Sequence, residues 1–268
     1  MEQDFVTFTV DLADADRHGT ISVSKLFSLG QKVRVQSFQS GWLRETMDET
    51  GGVVMVRAQY FRVLSQPGVE NVEVKISQRV LDFGKSSFRL LIEFGKFPSE
   101  DLFAIGCLIG VLVRDGRAIP LPDSVMRRIS RDISPASDMK GEFDAHILKA
   151  TSEASQLCST HVPESGILNQ MHVLTRSSDE DLNHHVNHYR YAEILGDSLP
   201  NQELNSMYVE YVAQSKRHEL CDVNAYLITA SDERQLFSGE SVAKVIMSRN
   251  SEIKCQAIVT WKTQRQKL

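Results

Sequence analysis

The sequence predicts an α+β protein built from two related halves, each a helix followed by an antiparallel meander of strands. Two observations carry this prediction. Residues 18–30 align without a gap with residues 184–196, and several strand-like runs follow each of these blocks. The composition agrees, since 41% hydrophobic and 24% charged residues are ordinary values for a globular protein. At 268 residues the chain is long enough for two small cores or one large one.

The first half, residues 1–119, begins with a predicted helix that Thr20 or Ser22 can cap and Gly41 can end. Its apolar positions recur with the 3.6-residue period of a helix, at Val23, Leu26, Phe27, Gly30 and Val33. Four strand-like runs follow, at 53–64, 69–81, 86–94 and 105–113. Within the second run apolar and polar residues alternate, as in a sheet with one face in water.

The second half, residues 166–268, repeats this order. A helical block at 184–196 precedes strand-like runs at 206–214, 223–228, 239–247 and 253–261. Between the halves, residues 120–165 are richer in Ser, Asp, Arg and Lys and contain two possible helices, at 124–133 and 143–158. We interpret this segment as a partly helical connector that carries no recognisable chemistry.

Charge and cysteine content exclude several classes of function. The net charge of −5 argues against a nucleic-acid partner, which usually demands a basic excess. The four cysteines lie far apart without CxxC spacing and are therefore expected to be reduced thiols. The N-terminus lacks signal-peptide features, and the longest apolar run, 102–113, is shorter than the roughly 20 residues that a membrane span needs. We expect a cytoplasmic protein that does not bind membranes.

The most informative motif places Asp181, Asn183 and His185 at positions i, i+2 and i+4, directly before the second helical block. An imidazole, whose usual pKa is about 6.5, is a suitable general base at neutral pH. His185 is the candidate base, Asn183 can hold a carbonyl group or a water molecule, and Asp181 can fix the loop or orient His185. The N–H groups at the start of the helix can stabilise an oxyanion.

Two simpler interpretations of this motif remain open. Asp and Asn before a helix are commonly caps and turn formers. His184, His185 and His188 can also be metal ligands, although no third ligand of appropriate spacing is evident. Catalysis or acyl binding is favoured by Val186-Asn187, which follows the motif directly, and by the surrounding strand pattern. We expect neither a metal nor an organic cofactor.

The segment from Asp181 to Asn187 resembles the Asp-x-Asn-x-His-Val-Asn-Asn loop of acyl-acyl-carrier-protein thioesterases, and the general pattern is similar to that of 4-hydroxybenzoyl-CoA thioesterases. The resemblance implies a double hotdog fold, in which two tandem repeats each wrap a curved antiparallel sheet around a long helix. It also implies hydrolysis of a fatty acyl thioester.

Residues 209–211, Val-Glu-Tyr, resemble that family's Leu-Glu-Tyr strand, which in plant members leads to a Glu-Cys pair. Gln214 and Ser215 stand at those two positions here. Gln cannot act as a base or as a carboxylate nucleophile, although it can position water. Ser is a weaker nucleophile than Cys unless a base activates it. The Gln-Ser pair in place of Glu-Cys therefore favours a mechanism in which His185 activates water. It is also compatible with a slow or inactive enzyme.

The remaining candidate residues concern substrate binding. Lys216 and Arg217, followed by His218, form a basic cluster that can meet a phosphopantetheine phosphate or an acidic carrier protein. Val186 and Ser215 are candidates beside the motif. An acyl chain can lie on the apolar face of the first helix, where the candidate residues are Leu26, Phe27 and Gly30.

We therefore predict a thioesterase that acts on an acyl thioester of CoA or an acyl carrier protein. One alternative is a hotdog hydratase or dehydratase, although such enzymes often show Asp-x-Asn-Pro-x-His, and His184 stands where Pro would be expected. The other alternative is a non-catalytic protein that binds acyl thioesters. With paired repeats in one chain, either a monomer or a homodimer is expected.

Overall fold

The structure is a computed structural model, and it describes residues 4–10, 21–39, 41–66, 72–99, 101–132, 138–160, 166–181, 184–199, 203–228 and 240–262. In these stretches the α-helices are α1 (Val23–Gln39), α2 (Trp42–Thr50), α3 (Asp123–Asp132), α4 (Asp138–Cys158) and α5 (His188–Asp197). The strands are β1 (Asp4–Val10), β2 (Val53–Val63), β3 (Val72–Phe83), β4 (Ser87–Lys96), β5 (Leu102–Arg114), β6 (Arg117–Ala118), β7 (Ile167–Leu174), β8 (Leu204–Tyr211), β9 (Leu220–Ile228), β10 (Glu240–Arg249) and β11 (Glu252–Lys262).

The chain divides into two compact units that exchange short segments. The first unit contains Met1–Ile21, Ser28–Gln59 and Val63–Lys149. The second unit contains Ser22–Phe27, Tyr60–Arg62 and Ala150–Leu268. The predicted boundaries at 119/120 and 165/166 stay a prediction.

In the first unit the strands pair in the order β1-β3-β4-β5-β2, and β6 adds to the end of β5. The pairs β1–β3, β3–β4 and β4–β5 are antiparallel. On β3, Val74 and Ile76 are fully buried whereas Glu73 is exposed, so the predicted alternation marks the two faces of the sheet. Leu29 and Val33 of α1, one helical turn apart, are also fully buried.

Helix α2 was not predicted, and it changes the role of Gly41. This glycine has a φ of 87° and directly precedes α2, so it starts the second helix rather than ending the first. The indole of Trp42 lies edge-on to the Phe88 ring, with centroids 5.0 Å apart. This aromatic contact anchors α2 against β4.

In the second unit the strands pair in the order β8-β11-β10-β9-β7, and all of these pairs are antiparallel. Helix α5 packs against β8, β10 and β11 and buries Tyr191, Ala192, Ile194 and Leu195. The buried Lys244 of β10 donates hydrogen bonds from Nζ to the carbonyls of Cys158 and, at 2.9 Å, of Thr160. A cation at the C-terminal end of α4 complements the helix dipole.

The predicted strands and connector helices are confirmed. Each of the eight predicted strand runs corresponds to a strand whose ends lie within three residues of the prediction, and the two connector helices correspond to α3 and α4. The first strand of each half, β1 and β7, was not predicted. Within the described residues, no helix has the length and apolar character that crossing a membrane requires.

Candidate active site

Two loops of the second unit bring the candidate residues together. One loop leads from a short 3-10 turn, Ser177–Asp179, to the start of α5 at His188 and carries the motif. The other connects β8 to β9 and carries Gln214 to His218. The first loop is therefore followed by a helix N-terminus, as the motif predicts.

Asp179 fastens both ends of the motif loop. Its carboxylate accepts a hydrogen bond from the Arg176 N–H at 2.7 Å, and its carbonyl accepts one from the Asn187 N–H at 2.8 Å. Its carboxylate also accepts hydrogen bonds from Nε of Arg190 at 2.9 Å and from Nη2 at 2.8 Å. The Asp179 side chain is only 4% exposed, so its ion pair with Arg190 holds the loop on the side that faces the interior of the unit.

Arg190 is held as a cation by two carboxylates. Burial opposes its charge, yet Asp179 and Glu193 together raise the pKa of the Arg190 guanidinium. Burial also raises the pKa of the Glu193 carboxyl, against the opposing influence of Arg190. Because α5 carries Arg190 and Glu193, the ion pairs tie the loop to this helix.

The second tie runs through the main chain of Ser215. Its carbonyl accepts a hydrogen bond from the Val186 N–H at 2.9 Å, and its N–H donates to the hydroxyl oxygen of Tyr191 at 2.8 Å. Burial raises the pKa of Tyr191 to about 12, so its hydroxyl is neutral at physiological pH. The loop from β8, the motif loop and α5 are thereby linked one residue away from His185.

A cleft of about 450 Å³ lies where the two loops meet. The lining residues that the structure describes all carry ionisable side chains: Glu180, His184, His185, Lys216, Arg217 and His218. The Glu180 carboxylate accepts a hydrogen bond from the Arg217 N–H at 3.1 Å, which joins the loops across the cleft. The cleft is therefore predominantly basic, although the chain as a whole is acidic.

His185 is half-buried in this cleft, and Asp181 contacts it through the main chain. The Asp181 N–H donates to the His185 carbonyl at 2.8 Å, and the Asp181 carboxylate accepts a long hydrogen bond of 3.4 Å from the His185 N–H. Asp181 thus fixes the turn that presents His185. Asn183 lies outside the described residues, so its predicted role stays a prediction.

The remaining predicted residues occupy different environments. Gln214 is exposed and does not line the cleft, whereas Ser215 is fully buried. Val186 is buried beside His185. Lys216 and Arg217 are exposed at the cleft. On α1 the predicted acyl-binding residues are all buried: Leu26, Phe27 and Gly30.

Sequence reasoning missed three residues that hold the site together. They are Asp179, which is one of several acidic residues before the motif, and Arg190 and Tyr191, which lie in the helical block without a pattern that distinguishes them. Arg190 and Tyr191 are adjacent in sequence, but their side chains have different partners. Arg190 pairs with Asp179, and the Tyr191 hydroxyl accepts a hydrogen bond from the Ser215 N–H, and their sequence positions do not indicate either contact. In the described part of the chain, no three His, Cys, Asp or Glu side chains are arranged to hold a metal ion.

Comparison with solved structures finds the same fold at low sequence identity. A proposed oleoyl thioesterase of Lactobacillus plantarum is similar with a TM-score of 0.73 and 15% identity, covering 99% of this chain and 96% of that one. A 12:0-ACP thioesterase of Umbellularia californica also has a TM-score of 0.73 and 15% identity, covering 96% of each chain. An acyl-ACP thioesterase of Bacteroides thetaiotaomicron has a TM-score of 0.68 and 14% identity, covering 96% of this chain and 97% of that one.

Sequence comparison adds no closer relative. No protein-family model matches the chain, and no curated protein matches it at the threshold for significance. The structural likenesses extend over nearly the whole chain and over nearly the whole of each neighbour. They confirm the predicted fold class: this chain is a double hotdog.

Proposed function

We propose that the chain hydrolyses the thioester of a fatty acyl group, carried by coenzyme A or an acyl carrier protein, to a free acid and a thiol. The observation that carries the proposal is the placement of His185, half-buried in a basic cleft and fastened on both sides by hydrogen bonds of its loop. The fold supports it, because two neighbours of the same fold are named as ACP thioesterases.

The proposed reaction needs a base and an oxyanion site but no cofactor. Sulfur donates poorly into the carbonyl group, so a thioester is already activated towards attack. His185 removes a proton from water as the water oxygen bonds to the carbonyl carbon. The carbon–sulfur bond then breaks, and the thiolate takes up the proton from the imidazolium. The N–H groups in the first turn of α5 are the proposed donors to the oxyanion.

The neighbouring polar residues have supporting roles in this proposal. Asn183 holds the carbonyl group or the attacking water, and Asp181 holds the turn around His185. Gln214 stands where the resembled family has a carboxylate, cannot act as a base and does not line the cleft of His185, so we give it no direct part in the attack. Rate enhancement then depends on orientation and on one general base rather than on a covalent intermediate.

Substrate binding is divided between a polar and an apolar region. We assign the thiol carrier to the basic side chains of Lys216 and Arg217, with Val186 and Ser215 behind them. We assign the acyl chain to the buried face of α1 at Leu26, Phe27 and Gly30. A cytoplasmic location is part of the proposal, because all four cysteines are free and buried, as expected in a reducing compartment.

The direct test compares the release of free thiol by His185→Ala and by the wild type over a ladder of acyl-CoAs and acyl carrier proteins. We expect kcat to fall by about 10²-fold or more, the usual scale for loss of a general base. His172→Ala is the matched control, because His172 lies on β7, pairs with Asp222 at 2.7 Å and does not line the cleft. A fall of less than about threefold for His185→Ala would refute the assignment of the base.

The same assay separates the two alternatives. A hydratase would add water to crotonyl-CoA without releasing thiol, which is visible as a loss of enoyl absorbance with no colour from the thiol reagent. A non-catalytic binding protein would retain acyl-CoA in equilibrium dialysis while releasing no thiol. Either result with the wild-type chain would overturn the proposed hydrolysis.

A further inference from the structure

Two of the cleft histidines have an unusual backbone conformation. His184 and His218 each have a φ of 60°, in the left-handed region that non-glycine residues occupy infrequently. The other non-glycine residues with positive φ in the described stretches are Asp115, Asn250 and Ser251, and they lie at the hairpin turns β5–β6 and β10–β11. Those three lie at hairpin turns away from the cleft, whereas the two histidines come from different loops and line the same cleft.

The backbone alone does not call for histidine at either position. The His184 N–H closes a tight turn by donating to the Asp181 carbonyl at 3.1 Å, whereas the His218 N–H makes a long-range hydrogen bond to the Thr175 carbonyl at 2.8 Å. Glycine or asparagine suits such a conformation at least as well as histidine does. What histidine adds is a ring N–H donor that becomes cationic when protonated.

The four exposed residues of the cleft combine into one basic rim. His184, Lys216, Arg217 and His218 are exposed, whereas His185 is half-buried. Among the described lining residues only Glu180 carries a carboxylate, and it already accepts the main-chain N–H of Arg217. The rim therefore offers donors and positive charge to a ligand, and His185 lies on its inner side.

We propose that His184 and His218 act with Lys216 and Arg217 as a phosphate-binding rim, which holds the phosphate ester of the thiol carrier while the thioester reaches His185. The inference rests on the proposed hydrolysis and deepens it, because it adds His184 of the motif loop to the basic cluster of Lys216, Arg217 and His218 and so gives both loops a part in holding the phosphate. A phosphate group has several acceptor oxygens and can take donors from both loops at once. Its source is either coenzyme A or the phosphopantetheine of a carrier protein.

The test uses the double variant His184→Asn/His218→Asn and three thioesters of one acyl group. Acyl-CoA and an acyl carrier protein contain the phosphate, whereas an acyl-N-acetylcysteamine lacks it. For the phosphate-bearing substrates we expect kcat/KM to fall about tenfold or more, through KM, as donors to a charged group are lost. For the truncated substrate we expect no change, and the melting temperature should be equal to or above that of the wild type because asparagine tolerates the left-handed region.

The outcomes keep this inference separate from the proposed function. If the wild type hydrolyses none of the three thioesters, the proposed hydrolysis is wrong. If the wild type is active but the double variant loses as much activity on the truncated substrate as on the other two, the histidines serve the chemistry and the phosphate rim is refuted. An unchanged KM for the two phosphate-bearing substrates also refutes the phosphate rim. A loss confined to acyl-CoA or to the carrier protein identifies the source of the phosphate. His172→Asn is the control for a histidine outside the cleft.

Discussion

Replacing Asp179 with alanine tests whether a buried ion pair holds the loop that carries His185. The change leaves the Arg176 N–H and the Arg190 guanidinium without the carboxylate to which they donate at 2.7 and 2.9 Å. Breaking a buried ion pair from one side costs about 3–5 kcal/mol. Because the Arg190 side chain is 31% exposed, water and Glu193 compensate part of this loss, and we expect a loss of about 2–3 kcal/mol in the free energy of unfolding.

This loss of stability should be visible in thermal unfolding and should be accompanied by a loss of activity. For a protein of about this size, 1 kcal/mol corresponds to roughly 2–4 °C, so the melting temperature should fall by about 4–12 °C. A displacement of about 1 Å at a catalytic group can lower the rate by about 10²-fold. Thiol release by Asp179→Ala, measured at a temperature where circular dichroism shows the variant to be folded, should therefore fall steeply in kcat.

Asp48 provides a matched control in the same chain. Its carboxylate accepts a 2.9 Å hydrogen bond from Arg44, but both side chains are more than half exposed. Such a surface pair contributes about 0–1 kcal/mol, so Asp48→Ala should change neither the melting temperature nor kcat appreciably. The reasoning is refuted if Asp179→Ala and Asp48→Ala have the same melting temperature and the same kcat.

Three further predictions concern other parts of the structure. Tyr191→Phe removes the hydroxyl that accepts the buried Ser215 N–H, so we expect the free energy of unfolding in urea to fall by about 1–3 kcal/mol and kcat to fall as well. An unchanged free energy and kcat would show that this hydrogen bond does not hold the loop. Burial raises the pKa of the Cys107 thiol from 9.0 to about 12, so the stability that comes from its neutral form is complete below pH 9 and is lost as the pH rises towards 12. Melting temperatures across that range should fall, and native protein at pH 8 should leave this thiol unlabelled by a thiol reagent. Gly110→Ala would place a methyl group less than 3 Å from the Phe88 ring and should lower the free energy of unfolding by about 1–3 kcal/mol. Gly116→Ala is the comparison: its Cβ would meet no atom within 4 Å, and its φ is 72°, so this variant tests backbone strain alone.

Much of the fold could be predicted because most of its strands are apolar runs separated by turn residues, as in β5 and β11, and because part of β3 alternates. The register of β3, with Val74 and Ile76 inside and Glu73 outside, appears directly in the sequence. β7 was missed because it is an edge strand, and its large apolar residues Ile167, Leu168 and Leu174 are exposed. Pattern analysis detects burial, and an edge strand that buries little gives a weak pattern.

From local patterns the site was predictable only where its residues are neighbours in sequence, and Lys216 and Arg217 were expected beside it because residues 209–211 before them resemble a strand of the thioesterase family. The motif at 181–185 is local, and its position before a helix follows from the apolar period of that helix. The contribution of Lys216 to His218 to the same cleft depends on the long-range hydrogen bond from the Val186 N–H to the Ser215 carbonyl. No short-range pattern reports such a contact, and for the same reason the partner of Asp179 could not be identified from sequence.

The departure at Ser215 from the cysteine of the resembled family gives a last prediction, since the contacts of this residue run through its main chain. Its carbonyl and N–H hold Val186 and Tyr191, whereas its buried Oγ takes part in neither of these two hydrogen bonds. Ser215→Ala keeps both contacts, so thiol release should stay within about threefold of the wild type. Ser215→Pro removes the N–H donor and should lower kcat in the same direction as Tyr191→Phe. If Ser215→Ala instead falls as far as Ser215→Pro, the hydroxyl takes part in the reaction, and water activated by His185 no longer explains the hydrolysis.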